Sequence, residues 1–290
     1  MISILDSGAG NLASVHLAPL AVAPATTRKA FFALDFDGVI CDSAAETGAS
    51  AWKAAERFWP GRFPSPAPTE YIQAFRAARP YLETGYQAIP FIKMLRDGLP
   101  PQALATGLDE RINAVFAEIG QDKTSMVQAF GDTRDQWIKA NLDDWISWHD
   151  IYPGVLEALQ KVLAGGQHLR ILTTKQERFV SAILSAHGVN FPADYIWGLE
   201  RQESKEDQLA RLLANGDNDV YFIEDRLETL RRVEARDDLR AVRLYYADWG
   251  YGTPGHLAAA NADDRITVLS LSDFPRFLAE IAQEIGRAHV

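Results

Sequence analysis

The run Phe31-Phe32-Ala33-Leu34-Asp35-Phe36-Asp37-Gly38-Val39-Ile40-Cys41-Asp42-Ser43 constrains this chain more than any other. An apolar stretch rich in Phe and Leu reads as a buried strand of a parallel sheet. Asp35 then falls at its carboxyl end, where open α/β sheets place their ligand sites. Asp37 follows two residues later, and Gly38 lets the chain leave the strand, so both acids can face one crevice. Two carboxylates this close repel each other unless a cation or a shared proton compensates. The pair points to a divalent metal, or to a nucleophile with an acid/base partner. A strand-end turn with solvated acids is the plainer alternative.

Beyond residue 150 the pattern alternates. A helix from about Gly154, a strand at 169–173, a helix at 176–187, a short strand near 195–197 and a helix at 204–214 are predicted. A strand at 219–223, a helix from about Leu227, a strand at 241–246 and an apolar run at 266–271 follow. Alternation of this kind predicts an α/β fold with a parallel, doubly wound, Rossmann-like sheet. Between Ser43 and Asp150 the signals differ: amphipathic, Ala-rich runs at 44–58, 70–78, 86–97, 108–119 and 133–147 are separated by Pro and Gly. That segment reads as all-helical.

Three later stretches extend the first. Leu169-Arg170-Ile171-Leu172-Thr173-Thr174-Lys175 is an apolar run ending in hydroxyls. Ser204-Lys205-Glu206-Asp207 opens a helix with a lysine. Val220-Tyr221-Phe222-Ile223-Glu224-Asp225 ends in paired acids. In this order the four resemble the motifs of the haloacid dehalogenase (HAD) superfamily of aspartate-nucleophile phosphohydrolases, whose first motif is D-x-D-G-[TV]-x-x-D-S. The resemblance spans residues 31 to about 250. It implies that 30–43 and 150–283 form the core domain and that 44–149 is the helical cap many of these enzymes insert after the first motif. The Asp-Gly-Val…Asp-Ser start and Tyr152-Pro153-Gly154-Val155 are most similar to phosphoglycolate phosphatases, although no residue identifies glycolate.

The resemblance implies a Mg²⁺-dependent phosphatase acting on a small phosphorylated metabolite. Asp35 would attack phosphorus and form an aspartyl phosphate, and Asp37 would serve as general acid and then base. Thr173 and Lys205 would hold the phosphoryl oxygens. Thr174 is the alternative hydroxyl, though a Thr-x-Lys spacing to Lys175 favours Thr173. Mg²⁺ would be held by Asp35, the backbone carbonyl of Asp37 and Asp225. The fourth motif departs from the common Gly-Asp form, in which another acid follows four or five residues later; Thr229 and Leu230 stand there instead. Glu224 is the expected second acid, with Glu228 as the alternative. In the cap, Arg79, Glu83 and Tyr86 are candidates for substrate recognition; helix-end ion pairs and packing are the competing readings. A phosphosugar mutase shares all four motifs, and a catalytically silent binding or regulatory protein on the same fold also stays open. The intact set Asp35, Asp37, Thr173, Lys205 and Asp225 argues against silence. A haloalkanoate dehalogenase is disfavoured because that branch does not use the second acid, here Asp37.

Composition agrees. A net charge of −10 supplies no basic footprint for nucleic acid. No apolar run reaches the roughly 18 residues of a membrane span, and a cytoplasmic enzyme is expected. Cys41 is the single cysteine, so no intrachain disulfide can form, and the six histidines show no metal-ligand spacing. Residues 1–29 read as a leader and Ala/Pro linker outside the core. Met1–Val15 resembles the first strand-loop-helix of the glutaminase subunit of imidazole glycerol phosphate synthase. Residues 284–290 back-translate to a run that matches a common sequencing-adapter read, which makes them a candidate artefactual tail.

Overall fold

Buried apolar strands flanked by amphipathic helices dictate the architecture. The computed structural model describes residues 29–165, 168–214 and 218–287. Strand β1 is Lys29–Leu34 and the short β2 is Cys41–Asp42. Six helices follow: α1 (Ala44–Ala55), α2 (Thr69–Ala78), α3 (Ala88–Arg96), α4 (Leu108–Ile119), α5 (Lys123–Ala140) and α6 (Leu142–Ile146). Next come β3 (Asp150–Ile151), α7 (Val155–Ala164), β4 (His168–Leu172), α8 (Glu177–Ala186), β5 (Ile196–Trp197) and α9 (Lys205–Ala214). The chain continues with β6 (Asn218–Glu224), α10 (Leu227–Glu234), β7 (Arg243–Ala247), α11 (Pro254–Asn261), β8 (Ile266–Leu269) and α12 (Phe274–Arg287).

The main sheet has six strands, all parallel, in the order β5-β4-β1-β6-β7-β8. From β1 the chain crosses to β4 and β5 on one side. It then returns to β6 on the other side of β1 and runs outward to β7 and β8. The order therefore reverses between β1 and β6, and the carboxyl ends of those two strands flank the crevice where open α/β sheets bind ligands.

Both faces of β1 are covered, as its unbroken apolar run demands. Phe32 and Leu34 pack in one cluster with Val155 and Leu159 of α7, Ile183 of α8 and Phe274 and Leu278 of α12. Phe31 and Ala33 pack on the opposite face with Leu209 of α9 and Leu227, Leu230 and Val233 of α10.

The helices α1–α5 share a separate cluster that includes Trp52, Phe75, Phe91, Val115, Met126 and Phe130. Where the chain leaves for these helices and where it returns, β2 and β3 pair antiparallel, Cys41 opposite Ile151 and Asp42 opposite Asp150. Trp137, Trp145 and Ile146 pack with the sheet-side cluster instead, so the last helices of the insertion are keyed into the core.

The doubly wound α/β core with inserted helices is thus as expected, with differences in detail. Helix α5 begins ten residues before the expected 133, because the side chain of Asp122 caps it by accepting from Ser125 N–H at 2.8 Å. The run from 86 opens as a 3₁₀ turn, Gly85–Gln87, before α3. Helices α11 and α12 were not anticipated. Residues 1–28 and 288–290, on which most of the leader and part of the tail expectation fall, lie outside the described residues; Lys29, expected in the leader, instead opens β1 opposite Asn218 of β6, and 284–287 belong to α12. Among the described residues, no helix is long and apolar enough to cross a membrane.

Candidate active site

Asp35 is delivered to the crevice by β1, and its N–H donates to the Ile223 carbonyl of β6 at 3.0 Å. Its Oδ1 accepts from Phe36 N–H at 2.7 Å and pairs with Lys205 Nζ at 3.0 Å. Lys205, the first residue of α9, reaches back to Glu224 Oε2 at 2.7 Å. One ammonium therefore ties the end of β1 to the end of β6.

Asp37 faces the same space but is held differently. Ser43 Oγ donates to its Oδ1 at 2.6 Å, and Lys175 Nζ lies 3.1 Å from that oxygen. Gly38 follows with φ +96°, and a β-carbon there would stand 2.1 Å from Asp225 Oδ2. Only glycine permits this approach between the loop after β1 and the end of β6.

Asp225 is buried. Tyr251 N–H donates to its Oδ2 at 2.7 Å, whereas Oδ1 has no hydrogen-bond partner among the described residues. Asp35, Glu224 and Asp225 can each present an oxygen within 4.8 Å of the others. Both Glu224 oxygens are already engaged, Oε2 by Lys205 and Oε1 by Arg226 N–H at 3.1 Å.

The electrostatics follow from burial. Desolvation raises the Asp35 carboxyl to about 7, with Lys205 opposing and Glu224 and Asp37 adding to the rise. Asp225 is pushed up to about 6 by burial and by Asp35, against the Tyr251 N–H. Glu224 is raised by burial despite Lys205. Burial alone would also raise Asp37, but Lys175, Ser43 and Arg79 outweigh it and leave the carboxyl below its usual range. Lys205 is held above its ordinary value, because Asp35 and Glu224 overcome the desolvation that would lower it. A crowded set of acids with an orphaned, buried oxygen is short of positive charge. The oxygen-only donor set suits a hard divalent cation.

Asp35, Asp37, Lys205 and Asp225 line a cavity of about 350 Å³ together with Thr173, Thr174, Arg79, Glu83 and Tyr251. Thr173 is buried and Thr174 exposed; Thr173 Oγ1 accepts from Lys175 N–H at 3.1 Å, which leaves its own proton free to donate. Arg79 lies over the Tyr251 ring at 4.0 Å and donates to the Leu82 carbonyl at 3.1 Å, while its buried Nε has no partner among the described residues. Glu83 stands at the cavity wall, 3.6 Å from Arg226. Tyr86 does not line this cavity; it packs near Phe116 and borders an adjacent one. Glu228 lies apart from the acid cluster, 3.4 Å from His256.

Solved structures share this architecture. A predicted phosphatase from Clostridium acetobutylicum matches with a TM-score of 0.55 at 18% identity, over 87% of this chain and 99% of that one. A predicted phosphoglycolate phosphatase from Haemophilus somnus matches at 0.52 and 15%, again over 87% and 99%. A haloacid dehalogenase-like family protein from Streptococcus pneumoniae gives 0.51 and 15% over the same shares. The chain has the haloacid dehalogenase fold. No protein-family model and no curated protein matches it in sequence.

On this HAD fold, several residues at the site escape a reading of the four motifs. Tyr251 is the foremost: its N–H holds Asp225, and its hydroxyl accepts from Ser43 N–H at 2.8 Å and donates to Asp42 at 3.1 Å. Its signal was the Gly250-Tyr251-Gly252 turn after β7. A β-carbon on Gly250 would lie 2.3 Å from Asp225 Cβ and 2.6 Å from the Gly38 carbonyl. Arg226 is another, donating to the Leu82 carbonyl of the insertion at 2.8 Å. Behind Asp37, Glu46 is fully buried and takes Arg134 Nε at 2.8 Å, Trp145 Nε1 at 2.9 Å and Ser50 Oγ at 2.6 Å. That network ties α1 to α5 and α6.

Proposed function

We propose that this protein is a Mg²⁺-dependent phosphatase that hydrolyses a small phosphate monoester through an aspartyl phosphate on Asp35. The observation that carries the reading is the placement of Asp35 at the β1/β6 switch point. There it lies 3.0 Å from Lys205, with Asp37 on one side and the orphaned oxygen of Asp225 on the other. The phosphatase names of similarly folded proteins support the same direction.

Asp35, the Asp37 carbonyl and Asp225 would hold the cation, whose charge would offset that of nucleophile and phosphate. Glu224 stands beside them and acts on Lys205, whose ammonium it fixes.

Phosphoryl transfer needs positioning and charge neutralisation more than covalent machinery. Lys205 and the Thr173 hydroxyl bind equatorial phosphoryl oxygens. Asp35 forms the new bond to phosphorus as the bond to the ester oxygen breaks. Asp37 rests ionised against Lys175 and Ser43, and an ester entering as its monoanion brings the proton that Asp37 passes to the leaving oxygen. Asp37 then takes a proton from the water that attacks the phosphoenzyme, which releases phosphate and restores Asp35. Arg79, with a free buried Nε beside the pocket, is placed to meet an anionic group of the substrate. The helices α1–α5 would act as the cap, excluding water from the crevice.

The test is a panel of small phosphate esters with and without Mg²⁺, run in parallel on Asp35→Asn. Release of phosphate that needs both Mg²⁺ and Asp35 supports the reading. Equal turnover by Asp35→Asn overturns it.

A further inference from the structure

Two further cavities adjoin the site pocket, and their walls differ. One, of about 660 Å³, shares only Glu83 and Arg226 with the site pocket. At that wall Arg226 donates to the Leu82 carbonyl at 2.8 Å and lies 3.6 Å from Glu83, so the boundary between the two is polar and charged.

The other route begins at Asp37. A small cavity of about 70 Å³ has Asp37 in its wall, and continues past Thr84, Arg134, Thr174 and Lys175 into a cavity of about 330 Å³. Tyr86, Val127, Phe130, Phe179 and Leu199 give this cavity a largely apolar lining. Val127 and Leu199 are 51% and 54% exposed, and they are two of the three large hydrophobic side chains exposed among the described residues. Both therefore lie at the rim of one cleft between α5 and the segments after β4 and β5. An apolar cleft with a few convergent polar groups is the usual form of a small-molecule site.

We propose that this cleft receives the apolar part of the leaving alcohol, so that the preferred substrate class is a phosphate monoester of an alcohol bearing an alkyl or aryl group. The inference rests on the phosphatase reading. Its direction follows from Asp37: the residue that protonates the leaving oxygen is the one that borders the route to the cleft. It also gives Tyr86 a role as a wall of the leaving-group site.

The experiment compares kcat/KM along the series from methyl phosphate to hexyl phosphate, for the wild type and two variants. Gly131 lines the cleft on α5, and a β-carbon there meets no atom within 4 Å, so Gly131→Leu starts its side chain in open space at the cleft wall. Val127→Asp puts a charge at the exposed rim. In the wild type kcat/KM should rise about fourfold per buried methylene. The hexyl-to-methyl ratio should fall at least tenfold in each variant. A flat series in a wild type that does hydrolyse methyl phosphate overturns the cleft assignment and leaves the phosphatase reading standing. A rise that persists unchanged in both variants also overturns it, since the alkyl group then binds elsewhere. Failure to hydrolyse any ester removes the phosphatase reading, and this inference with it.

Discussion

Lys205 Nζ lies 3.0 Å from Asp35 Oδ1, with only 12% and 10% of the two side chains exposed. The same nitrogen is 2.7 Å from Glu224 Oε2, so one positive charge separates two buried acids. Lys205→Met removes that charge and leaves both acids uncompensated. Loss of one such preorganised group costs about 10²–10³ in turnover. Steady-state kinetics on the best ester should show that drop, and Lys205→Arg should not restore activity, because a planar guanidinium does not match a point-charge site. Activity near wild type in Lys205→Met would remove the lysine from the phosphoryl site.

Asp37 is set apart from the other acids by its partners. Ser43 Oγ at 2.6 Å and Lys175 Nζ at 3.1 Å hold its carboxyl, which borders both the site pocket and the leaving-group route. Asp37→Asn should lower kcat by about 10²–10⁴, the usual contribution of a general acid/base. Esters with good leaving groups should suffer less in the first half-reaction. An equal loss across leaving groups of different basicity would contradict the acid role.

The cation site is tested by comparing two acids. Asp225→Ala removes the buried oxygen that lacks a partner, whereas Glu228 lies by His256, away from the cluster. Mg²⁺ titrated into each variant by calorimetry should show affinity strongly reduced in Asp225→Ala and nearly unchanged in Glu228→Ala. Chelation should abolish activity in the wild type, and added Mg²⁺ should restore it. Equal losses of affinity in the two variants would mean that the ligand set is wrong.

Acid stability should depend on His149. Burial lowers its imidazole from 6.5 to about 4, against the attraction of Glu46, and Nδ1 lies 3.1 Å from the Trp145 carbonyl. The folded state thus binds this proton less readily than the unfolded chain. Stability from neutral His149 is complete above 6.5 and is lost as pH falls toward 4. His149→Gln should flatten that part of the melting curve. The measure is the difference in Tm between variant and wild type across this range, in which the acids common to both cancel. A difference independent of pH would show that His149 does not titrate there.

Much of the site was legible because each motif is local. An apolar run ending in Asp35, or in Glu224 and Asp225, states both the strand and the position of its last side chain. Thr173 falls at a strand end for the same reason. Strand order was not legible: that β1 lies between β4 and β6 depends on pairings far apart in sequence, such as Phe31 with His168 and Lys29 with Asn218. The partners of the acids were hidden for that reason too. Lys175 reads as a residue after a strand until the fold sets it beside Asp37, and Tyr251 reads as part of a turn until its N–H meets Asp225. Tyr86 belongs to the cleft next to the pocket because the 3₁₀ turn at Gly85–Gln87 redirects the chain, a change of direction that helical periodicity does not encode.

The central claim is that Asp35 becomes phosphorylated. The most direct measurement is acid quenching of Asp37→Asn, in which the second half-reaction is slowed, after mixing with Mg²⁺ and an ester that the wild type hydrolyses, followed by mass spectrometry of the peptide that contains Asp35. The account predicts one phosphate on Asp35 that appears with the ester, decays on further incubation and is absent when Asp35 is also replaced by Asn. Turnover by the quenched enzyme with no phosphate on Asp35, or with phosphate carried on another residue, would contradict it.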